Sequence, residues 1–174
     1  MNAHQVDLGL LVLRVAVGAT MFAHGYNHVW RGGKLAGTGR WFESLGMKPG
    51  RLHAWLASVT ELVAGPLLIV GFLTPIAAGA IVGVLLVAWI TNHRTAGFFV
   101  FRRPTEGWEY VMNLAAAAFA LGCLGAGQWS LDNAFNTEFS DWWGLIAVLI
   151  VGVGGCAALL ATFWRPPKPE PATA

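Results

Sequence analysis

The chain has 174 residues, 56% of them apolar and only 11% charged, with a formal net charge of +2. Soluble domains carry about 25% charged residues, so this composition excludes an ordinary water-facing globule and identifies an integral membrane protein. The small net charge gives no footing for a nucleic-acid partner. The two cysteines, Cys123 and Cys156, lie in separate apolar segments and form no CxxC redox pair.

Residues 1–7 contain no lysine or arginine, and the first apolar run is too long for a signal-peptide core, so the chain is read as opening on a membrane helix. Several runs approach the ~20 residues that cross a bilayer. The sequence predicts spans over 8–26, 53–73, 75–93, 109–126 and 142–163. The expected fold is all-α, a polytopic membrane bundle. Strands are excluded because period-two alternation is missing and an open sheet cannot satisfy its backbone in lipid.

The first span carries Arg14, and steps of four and three from it reach Gly18, Met21, Gly25 and His28. A stripe of polar and small residues is expected to face other helices. In the loop that follows, two readings are open: Thr38 caps a short helix through Leu45 that sets Trp41, Phe42 and Leu45 at the membrane surface, or the segment is an ordinary loop anchored by its aromatics. The second span carries Glu61 among small neighbours, Ala57, Ser58, Ala64 and Gly65. Ionisable residues at mid-span cost at least ~2.5–3.5 kcal/mol, so Arg14 and Glu61 are informative. Their depths differ by roughly 9 Å in a ~30 Å core. Three readings follow: an ion pair that fixes helix packing, a buried polar site for a proton or a head group, or an Arg14 that snorkels outward alone.

The break Phe72-Leu73-Thr74-Pro75 separates the second and third spans. The third contains Gly79 and Gly83 in a GxxxG pattern, and the fifth contains Gly152, Gly154 and Gly155. Either pair, Gly79/Gly83 or Gly152/Gly155, suits close helix contact within the chain or in a homodimer. After the third span, FFVFRRP (98–104) reads as an interfacial anchor.

Lysines and arginines fall on alternate sides only: Arg31, Lys34, Arg40, Lys48 and Arg51, then Arg94, Arg102 and Arg103, then Arg165 and Lys168. The positive-inside rule then places the N-terminus outside and the C-terminus in the cytoplasm of a plasma membrane. His24, His28, His53 and His93 gather near the cytoplasmic face, with Glu109, Tyr110 and Asn113 opening the fourth span on the same side. Glu109 and Asn113 share a helix face with Ala116 or Ala117; the group either lines a polar vestibule, or at least two of the four histidines serve only as interfacial residues at helix ends. His24 and His28 have metal-ligand spacing but no HExxH form or nearby third ligand, so no metal site is assigned.

Three stretches resemble the DoxX family of small bacterial membrane proteins. They are LVLRVAVGATMFAHGYNH, ELVAGPLLIVGFLTPIAA, and EYVMNLAAAAFALGCLGAGQWSLD, together covering about residues 8–132. The resemblance implies a four-span bundle over 1–132, to which this chain adds a loop and fifth span (133–164) and a disordered proline-rich tail (165–174). It also implies a link to membrane-bound oxidoreductases, since the group includes small subunits of thiosulfate:quinone oxidoreductases. Arg14, Glu61 and Glu109 match the family's polar positions. The expected function is a subunit or accessory of a membrane oxidoreductase or redox-stress complex with a redox protein partner. Arg14, His24, Glu61, His93, Glu109, Tyr110 and Asn113 would form a site for a quinone or lipid head group. The alternatives are a small transporter and a non-catalytic scaffold.

Overall fold

The computed structural model describes residues 3–101 and 106–167. Arg102, Arg103, Lys168 and most of the proline-rich tail lie outside the described residues. Among those described there is no strand, only one isolated bridge between Met47 and Trp164.

Five helices run up and down: α1 (Ala3–Trp30), α3 (Gly50–Val70), α4 (Thr74–His93), α5 (Glu109–Leu124) and α7 (Asp141–Phe163), with short helices α2 (Lys34–Ser44) and α6 (Leu131–Phe135) at opposite ends. Four of the five are long and apolar enough to cross a membrane. The helix α5, predicted over 109–126, is shorter, yet it covers the same depth. Tyr110 meets His93 at one end of α4, and Gly122 lies against Ala78 near the other. The chain is therefore a multi-pass membrane helical bundle.

One end holds Asp7, the 71–73 turn and the 125–140 segment, so we term it the acidic end. The other, the basic end, holds α2 and the 94–101 segment. There the chain after α7 returns to α2, with Arg165 N–H donating to Gly46 O at 2.9 Å and Trp164 Nε1–H to Leu45 O at 3.0 Å.

The turn between α3 and α4 follows from its residues. Gly71 adopts φ +66°, Phe72 N–H reaches Leu67 O and Gly71 N–H reaches Leu68 O, the two bonds of a Schellman stop. Pro75 then sits in the first turn of α4, where its missing donor costs nothing.

Four of the five stripe residues on α1, Arg14, Gly18, Met21 and Gly25, are buried as the spacing predicts, His28 is half-buried, and α1 packs chiefly on α3. At the crossing, a Cβ on Gly18 would stand 2.5 Å from Gly65 O, and one on Gly65 would stand 2.6 Å from Gly18 O. No side chain fits between backbones this close. Gly18→Ala is expected to destabilise the bundle by about 1–3 kcal/mol, read as a lower melting temperature in detergent, whereas Gly9→Ala, with open space at its Cβ, should change nothing measurable.

The glycines of the third and fifth predicted spans are used inside the chain. A Cβ on Gly83 would lie 3.2 Å from Gly152 O, and one on Gly152 would lie 2.9 Å from Gly79 O. This contact occupies Gly79, Gly83 and Gly152 and removes them from the expected dimer surface. Gly155 meets nothing within 4 Å of its Cβ position.

The helix in the first loop differs from expectation. It begins at Lys34, so Thr38 is internal and donates to the carbonyls of Lys34 and His28 instead of capping. Trp41 stays exposed, but Phe42 turns inward against His53.

Candidate functional site

The two buried charges of the membrane region go to different places. Arg14 is 0% exposed. Its Cβ points toward the N-terminus of α1, as in every α-helix, and so toward the acidic end. There Nη2–H donates to Trp129 O at 2.6 Å and Nη1–H to Ile69 O at 3.5 Å. The guanidinium passes over Gly71, where a Cβ would collide with Nη1.

Asp132 lies in electrostatic range of Arg14 and works on the same turn. Its carboxylate accepts from Leu73 N–H at 2.7 Å and Thr74 N–H at 2.9 Å, capping α4. Its own N–H donates to Gly71 O at 2.8 Å. Asp7 accepts from Gln128 N–H at 2.9 Å. Asp7, Arg14 and Asp132 thus fasten the 125–137 segment across the ends of α1, α3 and α4. The expected Arg14–Glu61 pair does not form, and neither does an Arg14 that snorkels to no partner. Gly25, not Arg14, stands level with Glu61 on the antiparallel helix.

Glu61 is 4% exposed and faces His28, with Oε2 and Nδ1 3.1 Å apart. The two atoms are near enough to share a proton, but their alignment is not that of a hydrogen bond, and neither has another partner among the described residues.

Both residues line a partly open cavity of about 360 Å³, walled by α1, α2, α3, α4, α5 and α7 toward the basic end. Most of its wall is apolar, including Met21, Val84, Leu85, Val111 and Leu159. The polar groups are His24, His28, His53, Thr60, Glu61, Thr91, His93 and Tyr110. His53 is 2% exposed, and neither ring nitrogen makes a well-aligned hydrogen bond among the described residues, although the Lys48 backbone lies close enough to act on the ring. Its ring is held by Phe42 from α2 and, edge-on at 5.1 Å, by Phe163 from α7.

His93 ends a π-helical turn, Trp89–His93, a local widening often found at functional sites. Its Nδ1 faces Glu106 O at 2.9 Å. A carbonyl only accepts, so Nδ1 carries the proton and Nε2 is the acceptor for the Tyr110 hydroxyl at 2.9 Å. Tyr110, His93 and Glu106 O form a hydrogen-bonded line from the cavity to the basic end.

Of the residues expected in the site, His24, Glu61, His93 and Tyr110 line the cavity. His24 stands at its exposed edge, with Nδ1–H bonded to Thr20 O at 2.9 Å. Arg14 belongs to the acidic end. Glu109 and Asn113 also lie outside. Glu109 accepts from Val100 N–H, and Asn113 is exposed and bonds back to Glu109 O. The cause is helical phase: Tyr110, Val111 and Leu114 face inward, which turns Glu109 and Asn113 away. His53 and His28, noted only as members of the histidine group, are central. Cys156 and Leu159 bring the fifth helix into the wall. Among the described residues no three His, Cys, Asp or Glu side chains come together as a metal-ligand set.

The DoxX family model matches residues 9–94. The match takes in α1 to α4 and the cavity residues His24, His28, His53, Glu61 and His93; it ends before Tyr110 and before the 109–132 stretch of the resemblance. No curated protein and no solved structure matches the chain at a significant level.

Proposed function

We propose that this chain, a membrane protein whose residues 9–94 form a DoxX domain, binds a quinone-like amphiphile in the cavity beside Glu61. In this reading it serves as a membrane subunit or accessory of an oxidoreductase or redox-stress complex. The basic end faces the cytoplasm of a bacterial plasma membrane, and a redox protein partner docks there.

One observation carries the reading: an apolar cavity in which the buried His53 ring and Glu61 Oε2 make no well-aligned hydrogen bond among the described residues, their polar neighbours being the Lys48 backbone and His28 Nδ1. Each unpaired group costs about 1–3 kcal/mol, a cost that a hydrogen-bonding occupant removes. The volume of about 360 Å³ falls within the ~300–1,000 Å³ of small-molecule sites.

The residues fit the head of a quinone. Met21, Val84 and Leu85 would flank an apolar ring, and His53 has a ring N–H to offer a carbonyl oxygen. Glu61, with His28 Nδ1 3.1 Å from its Oε2, would accept from the hydroxyl of the reduced form. Tyr110 donates into His93, whose Nδ1–H leads to Glu106 O, so a proton has a bonded line toward the basic end. A bound quinone would supply two-electron, two-proton chemistry, with the electrons coming from the partner.

The test is to purify the full chain in mild detergent, extract it with organic solvent and measure thermal stability with added short-chain benzoquinone. The expected result is co-purified quinone and a higher melting temperature. No quinone in the extract together with an unchanged melting temperature overturns the assignment.

A further inference from the structure

A second concavity, about 620 Å³ in volume, lies between α2 and the first turns of α3, and shares no lining residue with the first. It forms because the two helices touch through glycines. A Cβ on Gly39 would stand 3.3 Å from the Arg51 backbone, and Gly50 lies against Gly39 O. This contact brings Lys34, Arg40 and Arg51 around one groove.

All three cations are exposed, and none of their charged side-chain groups is in an ion pair or a hydrogen bond among the described residues. The one carboxylate of the groove, Glu43, accepts from the Gly50 N–H at 3.2 Å and caps α3. The balance is three cations against one occupied anion. Below them, Trp55 is one helical turn from Arg51 and 47% exposed. Val59 and Val63 continue the same line at steps of four, both exposed, along a helix long and apolar enough to cross a membrane. The cations therefore stand at the head-group level of a lipid-facing apolar stripe that begins with an interfacial tryptophan.

We infer that this groove is a binding site for one anionic phospholipid. The phosphate sits among Lys34, Arg40 and Arg51, and an acyl chain lies along Trp55, Val59 and Val63. Charge complementarity selects the anionic lipid over a zwitterionic one, and the stripe below the cations selects a lipid over a free anion.

Native mass spectrometry of the full chain in mild detergent, offered equal amounts of phosphatidylglycerol and phosphatidylcholine, tests this. The wild type is expected to retain phosphatidylglycerol preferentially. Each interfacial cation is worth roughly a fivefold change in affinity, so Lys34→Gln/Arg40→Gln/Arg51→Gln should weaken retention by about a hundredfold. Arg31→Gln/Lys48→Gln, which removes two charges outside the groove, should weaken it by at most about twenty-fivefold on the same per-charge scale, less than the triple variant. Equal retention of both lipids by the wild type overturns the inference, as does unchanged phosphatidylglycerol binding by the triple variant. Full displacement of the lipid by millimolar inorganic phosphate would reveal a free-anion site and overturn it too.

Discussion

Replacing Arg14 with leucine is expected to be the most damaging single change in the membrane region, costing about 3–5 kcal/mol. The guanidinium is fully buried, and its bond to Trp129 O at 2.6 Å ties α1 to a segment 115 residues away. Leucine leaves that carbonyl unpaired and leaves Asp132 without its neighbouring cation. Leucine is also shorter, so the space beside Gly71 empties. The change should be read as a large drop in melting temperature. Faster proteolysis within residues 125–137 would show that the acidic-end clasp has opened. Lysine should rescue only part of the loss, because its single ammonium cannot address two separated carbonyls with the planar fork of arginine. A melting temperature and cleavage pattern unchanged in Arg14→Leu would show that the clasp contributes nothing.

The second large effect is on binding. Glu61→Gln keeps the shape of the side chain and one carbonyl acceptor, so the bundle should persist. It removes the carboxylate that faces His28 at 3.1 Å. Hydrogen bonds to charged groups contribute about 1.5–3 kcal/mol, so affinity for a short-chain quinone should fall roughly ten- to hundredfold. Calorimetric titration in detergent checks this. Together the two variants separate the buried charges: Arg14 should change stability, and Glu61 should change binding.

Much of the framework was legible because helical periodicity and loop charge are strong signals. Steps of three and four from Arg14 identified the buried face of α1, and the Phe72-Leu73-Thr74-Pro75 break marked the turn between α3 and α4. Alternating basic loops gathered the histidines at one end, which placed His24, Glu61, His93 and Tyr110 in one neighbourhood. Arg14's partner was not legible. Trp129 O is a backbone carbonyl in a distant loop, and side-chain-to-backbone bonds leave no residue pattern to read. The Ser130-Leu131-Asp132 triplet was visible, yet its capping of α4 depends on a fold that spacing alone does not give. Glu109 and Asn113 were misplaced through phase. One residue separates Glu109 from Tyr110, and that step of about 100° decides which of them faces the cavity. The same limit hid His53, whose burial shows only when Phe42 and Phe163 close on it from α2 and α7.

The central claim is that the cavity beside Glu61 takes a quinone-like ring. The most direct measurement is saturable quenching of tryptophan fluorescence by decylbenzoquinone in detergent, for the wild type and for Ala57→Phe. Ala57 and Trp41 both line the cavity, and a phenyl group at position 57 would fill space a ring needs. The account predicts saturable quenching in the wild type and only linear, partition-type quenching in Ala57→Phe at an unchanged melting temperature. Identical saturable curves for the two proteins, or no saturation in the wild type, would contradict it.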